Sequence, residues 1–406
     1  MTAPQPPGGA PARVLVVGPA AVGDDTIGHH LQREGHVVDT ARPGAEALAK
    51  LRAEPFDVVL LDVAVPGTDG PRFLEALRSD ADLADVQVIV AAPADDLETL
   101  GQYLELGADD YLPRVFGPAM LRARLGAALD RRRLRDAESL SREMAVARNI
   151  QRDFLPEALP VARGVELAAV LHPARQVSGD FYDAFVLAPS GTFVLVVGDV
   201  CDKGVGAALF MALFRSLIRA SADPVGGGAI QMIGGRRTLV RQALDSATPA
   251  DLLTRVAGFT NDYIARLHGR TNMFATVFLA ALTPATGQFD YVNAGHEPAL
   301  VIVPNGAILG LMPTGPALGL GPDQSFLSGE GTLEPGHSLV AFTDGLVEAR
   351  NQAGEAFGDA RLEAALQAHR PSASSLVRGV VETLQAFTGP AEPHDDLTLL
   401  VATRTG

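Results

Sequence analysis

The sequence predicts two domains of different fold class. The first is an α/β unit with a doubly wound parallel sheet, and the second an α+β unit of packed sheets flanked by helices; a helical connection joins them. Three observations carry this. Short apolar runs alternate with amphipathic stretches over residues 13–117. From residue 160 onward apolar runs dominate and helical patterns become few. Between them, no Gly follows Gly126 and no Pro separates Pro118 from Pro156, a composition that favours helix. A chain of 406 residues is also too long for one ordinary core.

Bulk composition narrows the function classes. The net charge of −15 disfavours a nucleic-acid footprint, because phosphate backbones require a basic face. The single Cys201 excludes an intrachain disulfide framework and suits a reducing cytoplasm. Residues 1–12, MTAPQPPGGAPA, lack a basic region and an apolar region, so they read as a disordered leader and not a signal peptide. No apolar run reaches the ~18 residues expected of a membrane span.

In the first domain, 13–117, Val14–Val17, Val37-Val38, Val58–Leu61 and Val88–Val90 read as buried parallel strands. Helical patterns such as Ala45–Leu51 lie between them. This order predicts a flavodoxin-like sheet. The stretches Phe56–Asp62, Val65–Gly70 and Gly107–Leu112 resemble a two-component receiver domain. The resemblance puts Asp62 at the phosphoacceptor position. The departures weigh against its use: Gly18-Pro19 stand where receivers carry an acidic pair for Mg²⁺, and Ala92 where they carry a hydroxyl. Arg114-Val115 stand in place of Lys-Pro, and Asp24-Asp25 come too late to replace the acidic pair. Too few oxygen ligands remain to neutralise a phosphoryl group. The expectation is a degenerate receiver, not phosphorylated in the usual way, that docks a regulatory protein or dimerises.

The connection, 118–156, carries one apolar stripe at Leu121, Leu125 and Leu129 and a second at Leu140, Met144, Ala147, Ile150 and Phe154. Arg131-Arg132-Arg133 separates them. The second stripe fits either a twin helix in a homodimer or the helix's own C-terminal domain. Pro156 ends the helix.

The C-terminal domain, 157–406, holds the chemistry. Beta-rich runs begin at Val165, Thr192, Ala275, Gln288, Ala299, Ser338 and Leu397, with helices over Gly206–Ala220 and Pro249–Leu267. Residues 226–247 are Gly-rich and then amphipathic, and read as a loop or helical flap. Four acidic clusters sit beside these strands: Ser178-Gly179-Asp180, Gly198-Asp199-Val200, Thr343-Asp344-Gly345 and Asp395-Asp396-Leu397-Thr398. Like charges repel, so such a gathering implies a hard divalent cation with oxygen ligands, Mg²⁺ or Mn²⁺, and metal-assisted hydrolysis.

Together with Ile150-Gln151, Leu155-Pro156, Pro173-Ala174, Lys203-Gly204, Ala207-Ala208, Asn293-Ala294-Gly295-His296 and Glu348-Ala349, these clusters occur in the order of a known family. Over residues 148–403 the chain resembles the bacterial SpoIIE-like branch of PPM (PP2C-like) protein serine/threonine phosphatases. The resemblance implies a β-sandwich with helices outside both sheets and a two-ion Mn²⁺ or Mg²⁺ site. There an activated water would attack a phosphoserine or phosphothreonine in line. It implies that Asp199 bridges the ions, that the Val200 carbonyl reaches one, that Asp344 and Asp395 complete the set, and that Asp180 holds a metal directly or through water. Asp183, Asp396 and Asp202 are expected behind them. Cys201-Asp202 depart from the family's small residue and Gly. His296 is read as shaping a turn rather than as a general acid, and Arg175 as within reach of a substrate phosphate. The implied substrate is a phosphorylated anti-sigma factor antagonist in a cytoplasmic partner-switching pathway. Two other readings are a non-catalytic partner-binding scaffold and a conventional response regulator phosphorylated on Asp62.

Overall fold

The computed structural model of the protein describes residues 11–18, 27–42, 44–63, 70–93, 95–113, 115–188, 190–222, 228–233, 236–241, 248–369 and 372–405. The leader residues 1–10, Pro19, Asp24, Asp25 and Arg114 lie outside the described residues. The chain divides into two compact units, Met1–Arg142 and Glu143–Gly406.

The first unit contains β1 (Arg13–Val17), α1 (Ile27–Arg33), β2 (Val37–Ala41), α2 (Ala45–Ala53), β3 (Val58–Asp62), α3 (Gly70–Ser79), β4 (Gln87–Ala92), α4 (Leu97–Glu105) and β5 (Asp110–Pro113). α5 (Pro118–Phe154) follows and crosses the division between the units. The five strands are parallel in the order β2-β1-β3-β4-β5, the flavodoxin-like sheet the sequence predicts. Its central strands β1, β3 and β4 are apolar except at Arg13, Asp62 and Gln87, at strand ends, because both faces are covered. Leu15, Val17, Val59 and Leu61 pack with Phe73, Leu74 and Leu77 of α3. Val14, Val16, Val58 and Leu60 pack on the other face with Leu121, Leu125 and Ala128 of α5. The first stripe of α5 is thus part of the sheet's own core. In the second stripe Leu140 and Ile150 are exposed, while Met144, Ala147 and Phe154 are half-buried.

The second unit contains β6 (Val165–His172), β7 (Phe181–Leu187), β8 (Thr192–Val200), α6 (Val205–Ala222), β9 (Gly228–Ile233), β10 (Arg236–Arg241), α7 (Pro249–His268), β11 (Ala275–Leu282), β12 (Gln288–Ala294), β13 (Ala299–Ile302), β14 (Ile308–Leu311), β15 (Gly329–Thr332), β16 (Ser338–Phe342), α8 (Gly345–Glu348), α9 (Gly358–Ala368), α10 (Ala373–Thr388) and β17 (Leu397–Arg404). Two antiparallel five-stranded sheets form, in the orders β15-β12-β11-β8-β7 and β14-β13-β16-β17-β6. Strand alternation sorts the side chains into three layers. Phe193, Leu195 and Val197 of β8 meet Leu339, Ala341, Leu400 and Ala402 between the sheets. Val194 and Val196 turn outward to Met211 and Phe214 of α6 and Leu253 and Val256 of α7. Val340, Phe342, Leu399 and Val401 turn outward to Leu362 and Leu366 of α9 and Leu376 and Val380 of α10. Every central strand is therefore buried on both faces, and each sheet carries helices on its outer side.

One expectation is corrected. β9 and β10 pair antiparallel, Gly228 with Arg241 and Ile233 with Arg236, in place of a loop or helical flap. In the sequence, the Gly234-Gly235 dipeptide between these strands is a hairpin signal. Residues 223–227 and 242–247 lie outside the described residues. Among the described residues one helix, α6, has the length and mean composition of a membrane span, with Arg215 and Arg219 interrupting its apolar run. That helix is a core element: it buries Ala207, Met211, Phe214 and Ile218, and its Arg215 is ion-paired.

Candidate metal centre

The four acidic clusters meet at one edge of the sandwich because each lies at the end of an element. Asp180 directly precedes β7, Asp199 is the penultimate residue of β8, Asp344 precedes α8, and Asp395-Asp396 precede β17. The glycines beside them permit close backbone approach. A Cβ on Gly179 would lie 2.9 Å from the Val200 carbonyl oxygen, and one on Gly345 would lie 1.9 Å from the Asp396 carbonyl oxygen. The first cluster is thereby pressed against the second, and the third against the fourth.

Asp180 is 2 % exposed. Its Oδ2 accepts hydrogen bonds from Thr343 Oγ1 at 2.6 Å and Thr398 Oγ1 at 2.8 Å. Thr398 N–H in turn donates to Thr343 Oγ1 at 3.0 Å. Asp396 works as a staple: its Oδ1 accepts from Ala174 N–H at 2.7 Å and its Oδ2 from Gly179 N–H at 2.8 Å. Its carboxylate holds the loop that carries Asp180.

The electrostatics are those of crowded anions. Burial, then Asp344, push the Asp199 carboxyl up to about 7, with Asp395 and Asp396 adding to the shift and a hydrogen bond from Asp180 opposing it. Asp180 is also pushed up strongly, by burial and then by Asp199. Burial, then Asp395 and Glu348, raise Asp344. Lys203 Nζ donates to Asp395 Oδ2 and to the His394 carbonyl, both at 2.8 Å. Among the described residues, no group of three or more His, Cys, Asp or Glu side chains is arranged so that it could hold a metal ion as it stands. The donor set nevertheless fits a hard divalent cation: it consists of oxygens alone, it is anionic, and its members destabilise one another's charge.

Other predicted residues are placed differently. The partners of Asp183 are arginines of α6. Asp183 is 1 % exposed and ion-paired to α6, with Arg215 Nη2 at 3.0 Å and Arg219 Nη1 at 3.1 Å. It anchors that helix to β7. Asp202 sits at φ 74° and caps its own turn, accepting from Lys203 N–H at 2.8 Å. An Asp side chain can stabilise that left-handed conformation locally. His296 is buried, and burial pushes it down to about 4, so it is neutral. Its Nδ1 is 2.8 Å from Thr276 Oγ1 and its N–H donates to Asn293 Oδ1, the arrangement of a turn-shaping residue. Arg175 is exposed. In the first unit Asp62 is buried at the end of β3, and a Cβ on Gly18 would lie 2.9 Å from its Cβ.

Sequence reasoning missed Thr343 and Thr398 as the residues that hold Asp180. Both stood inside quoted motifs, and a hydroxyl beside a carboxylate was the available signal. It also missed that the Gln151 side chain bonds the Ser178 backbone.

Comparison with known proteins agrees with this division. The family model for the response regulator receiver domain matches residues 14–126, and that for stage II sporulation protein E matches residues 189–405. The chain is 36% identical over 273 residues to protein IcfG of Synechocystis sp., covering 64% of this chain and 41% of that protein. It is 26% identical over 269 residues to phosphoserine phosphatase RsbU of Bacillus subtilis, covering 66% of this chain and 71% of that protein. The match thus spans less than half the length of the first relative. The SiaA-PP2C domain of Pseudomonas aeruginosa superposes with a TM-score of 0.52 at 21% identity, covering 66% of this chain and 98% of that domain.

Proposed function

Since the chain belongs to the stage II sporulation protein E family, we propose that its C-terminal domain, residues 157–406, is a Mn²⁺- or Mg²⁺-dependent phosphatase acting on phosphoserine or phosphothreonine of a protein. One observation carries the reading. Asp180, Asp199, Asp344 and Asp395, from four distant segments, gather at one sandwich edge, where burial and then the neighbouring Asp344 and Asp395 push Asp199 up to about 7. A cation relieves that repulsion.

Asp199, Asp344 and Asp395 would hold two ions, with the Val200 carbonyl and Asp180 beside them. When bound, such a pair supplies an activated water and charge for the phosphoryl oxygens. The chain's own residues do the rest. Thr343 and Thr398 fix the Asp180 carboxylate. Asp396 ties the Asp180 loop to the Asp395 loop. Lys203 brings a positive charge to Asp395. Cys201 is not required as a nucleophile.

The first domain, 13–117, acts in this reading as a degenerate receiver that docks a regulatory protein. α5 carries its second stripe either to a twin in a homodimer or to the adjoining domain. The substrate is a phosphorylated signalling protein of the anti-sigma factor antagonist kind, in the cytoplasm; the likeness to a phosphoserine phosphatase supports this. The test is hydrolysis of p-nitrophenyl phosphate by the full chain with Mn²⁺. Activity that is absent without cation and abolished in Asp199→Ala supports the reading. No cation-dependent hydrolysis, or equal activity in Asp199→Ala, refutes it.

A further inference from the structure

We propose that a cavity beside Asp395 receives an apolar side chain of the phosphoprotein substrate, one to three residues from the phosphorylated serine or threonine. This rests on the phosphatase reading and names what that site selects.

The cavity holds about 330 Å³. Its apolar wall comes from elements of the outer core. Val381 and Leu384 project from the C-terminal half of α10 and Leu397 opens β17, with Pro393 on the loop between them. Leu384 and Leu397 belong to the core layer against the second sheet, so the floor is rigid. Two further wall residues connect the cavity to the chemistry. Asp395 is a member of the carboxylate cluster, and Gly345 directly follows Asp344. One side of an apolar cavity is therefore built from the residues that would surround the reacting phosphoryl group.

That continuity identifies the occupant. Successive Cα atoms lie ~3.8 Å apart. Because Asp395 and Gly345 line the cavity, a peptide that brings its phosphoester to Asp344 and Asp395 can place a residue one to three positions away in it. The volume is near the lower end of the ~300–1,000 Å³ typical of ligand pockets. It suits a Leu, Ile or Met side chain, and burying one there gains the usual apolar transfer energy. A separate effector molecule would have to share Asp395 with the substrate.

The test uses the full chain with Mn²⁺ and phosphoserine peptides that differ only in Leu against Ser at each position from −3 to +3. p-Nitrophenyl phosphate, which has no flanking residues, is the reference. The expected result is a preference for Leu of about tenfold in kcat/KM at one position. Gln385→Trp, at an exposed position on the same wall, and Val381→Phe should erase that preference while p-nitrophenyl phosphate turnover stays within twofold. Anisotropy of the same peptides, fluorescein-labelled and without added cation, gives a second readout, in which the Leu peptide should bind more tightly. Equal kcat/KM and equal binding of Leu and Ser peptides at every position overturn the proposal, as does an equal loss on both substrates in both variants. If wild type fails to hydrolyse p-nitrophenyl phosphate, the phosphatase reading falls. The binding arm still decides the cavity: a Leu preference removed by Gln385→Trp sustains it, and no preference sinks it.

Discussion

Gln151 and Ser178 are joined by two hydrogen bonds. The Gln151 side-chain amide donates to the Ser178 carbonyl at 2.6 Å and accepts from the Ser178 N–H at 2.9 Å. Gln151 lies in the last turn of α5, and Ser178 is two residues from Asp180. The end of the connecting helix is thereby clamped to the loop that carries a proposed metal-site carboxylate. Gln151→Ala removes both bonds, at about 1–2 kcal/mol of stability. The expected outcome is a small loss in chemical denaturation with a disproportionate, roughly tenfold, fall in kcat for p-nitrophenyl phosphate. Unchanged kcat would show that the clamp does not position the site.

Gly345 is predicted to be intolerant of any side chain. A Cβ there would lie 1.9 Å from the Asp396 carbonyl oxygen, a backbone atom that cannot swing aside. Gly345→Ala should destabilise the domain by about 1–3 kcal/mol, as overpacking does, and lower Mn²⁺ affinity by separating the Asp344 and Asp395 loops. Titration calorimetry with Mn²⁺ checks it. Wild-type affinity in Gly345→Ala would mean that the close approach does not set the site.

Asp183 gives the contrasting case. Arg215, itself 8 % exposed, faces it in a buried pair. Removing one partner of such a pair costs about 3–5 kcal/mol, because the other charge is left buried. Asp183→Asn should therefore lower the melting temperature clearly while leaving the Mn²⁺ affinity of the folded protein unchanged. A weakened Mn²⁺ affinity with normal stability would return Asp183 to the metal centre.

Stability should depend on pH in a direction opposite to that of a salt-bridged carboxylate. Asp199 rises from its ordinary 3.8 to about 7 in the fold. Below pH ~4 folded and unfolded chains both hold this proton. Between ~4 and ~7 the unfolded chain releases it and the folded chain keeps it, so the contribution to stability falls as pH rises and levels off above ~7. In EDTA, wild type should lose melting temperature from pH 5 to pH 8 relative to Asp199→Asn, and Mn²⁺ should restore more at pH 8 than at pH 5. A wild type that gains on the variant over this range would reverse the sign and contradict the account.

The two folds were legible because their central strands are buried on both faces, which writes them as continuous apolar runs such as Val58–Leu61 and Phe193–Val197. The edge strand β15 was not. β15 reads Gly-Glu-Gly-Thr, with no apolar signal, and takes its place only by pairing with β12. The pair β9 and β10 was obscured by a Gly-rich approach that resembles a loop. The carboxylates of the site could be located because aspartate beside glycine at a strand end is informative by itself. Their partners could not be. Nothing near Asp183 announces that Arg215 and Arg219 will face it from α6, and nothing near Gln151 announces Ser178. Those contacts depend on how elements far apart in the chain pack, which local pattern does not encode.

The most direct test is a crystal of residues 1–406 grown with excess Mn²⁺ and measured at the manganese absorption edge. The account predicts two anomalous peaks enclosed by Asp199, Asp344 and Asp395, with Asp180 beside them. A structure in which these carboxylates enclose no peak, while manganese binds elsewhere or nowhere, would contradict it.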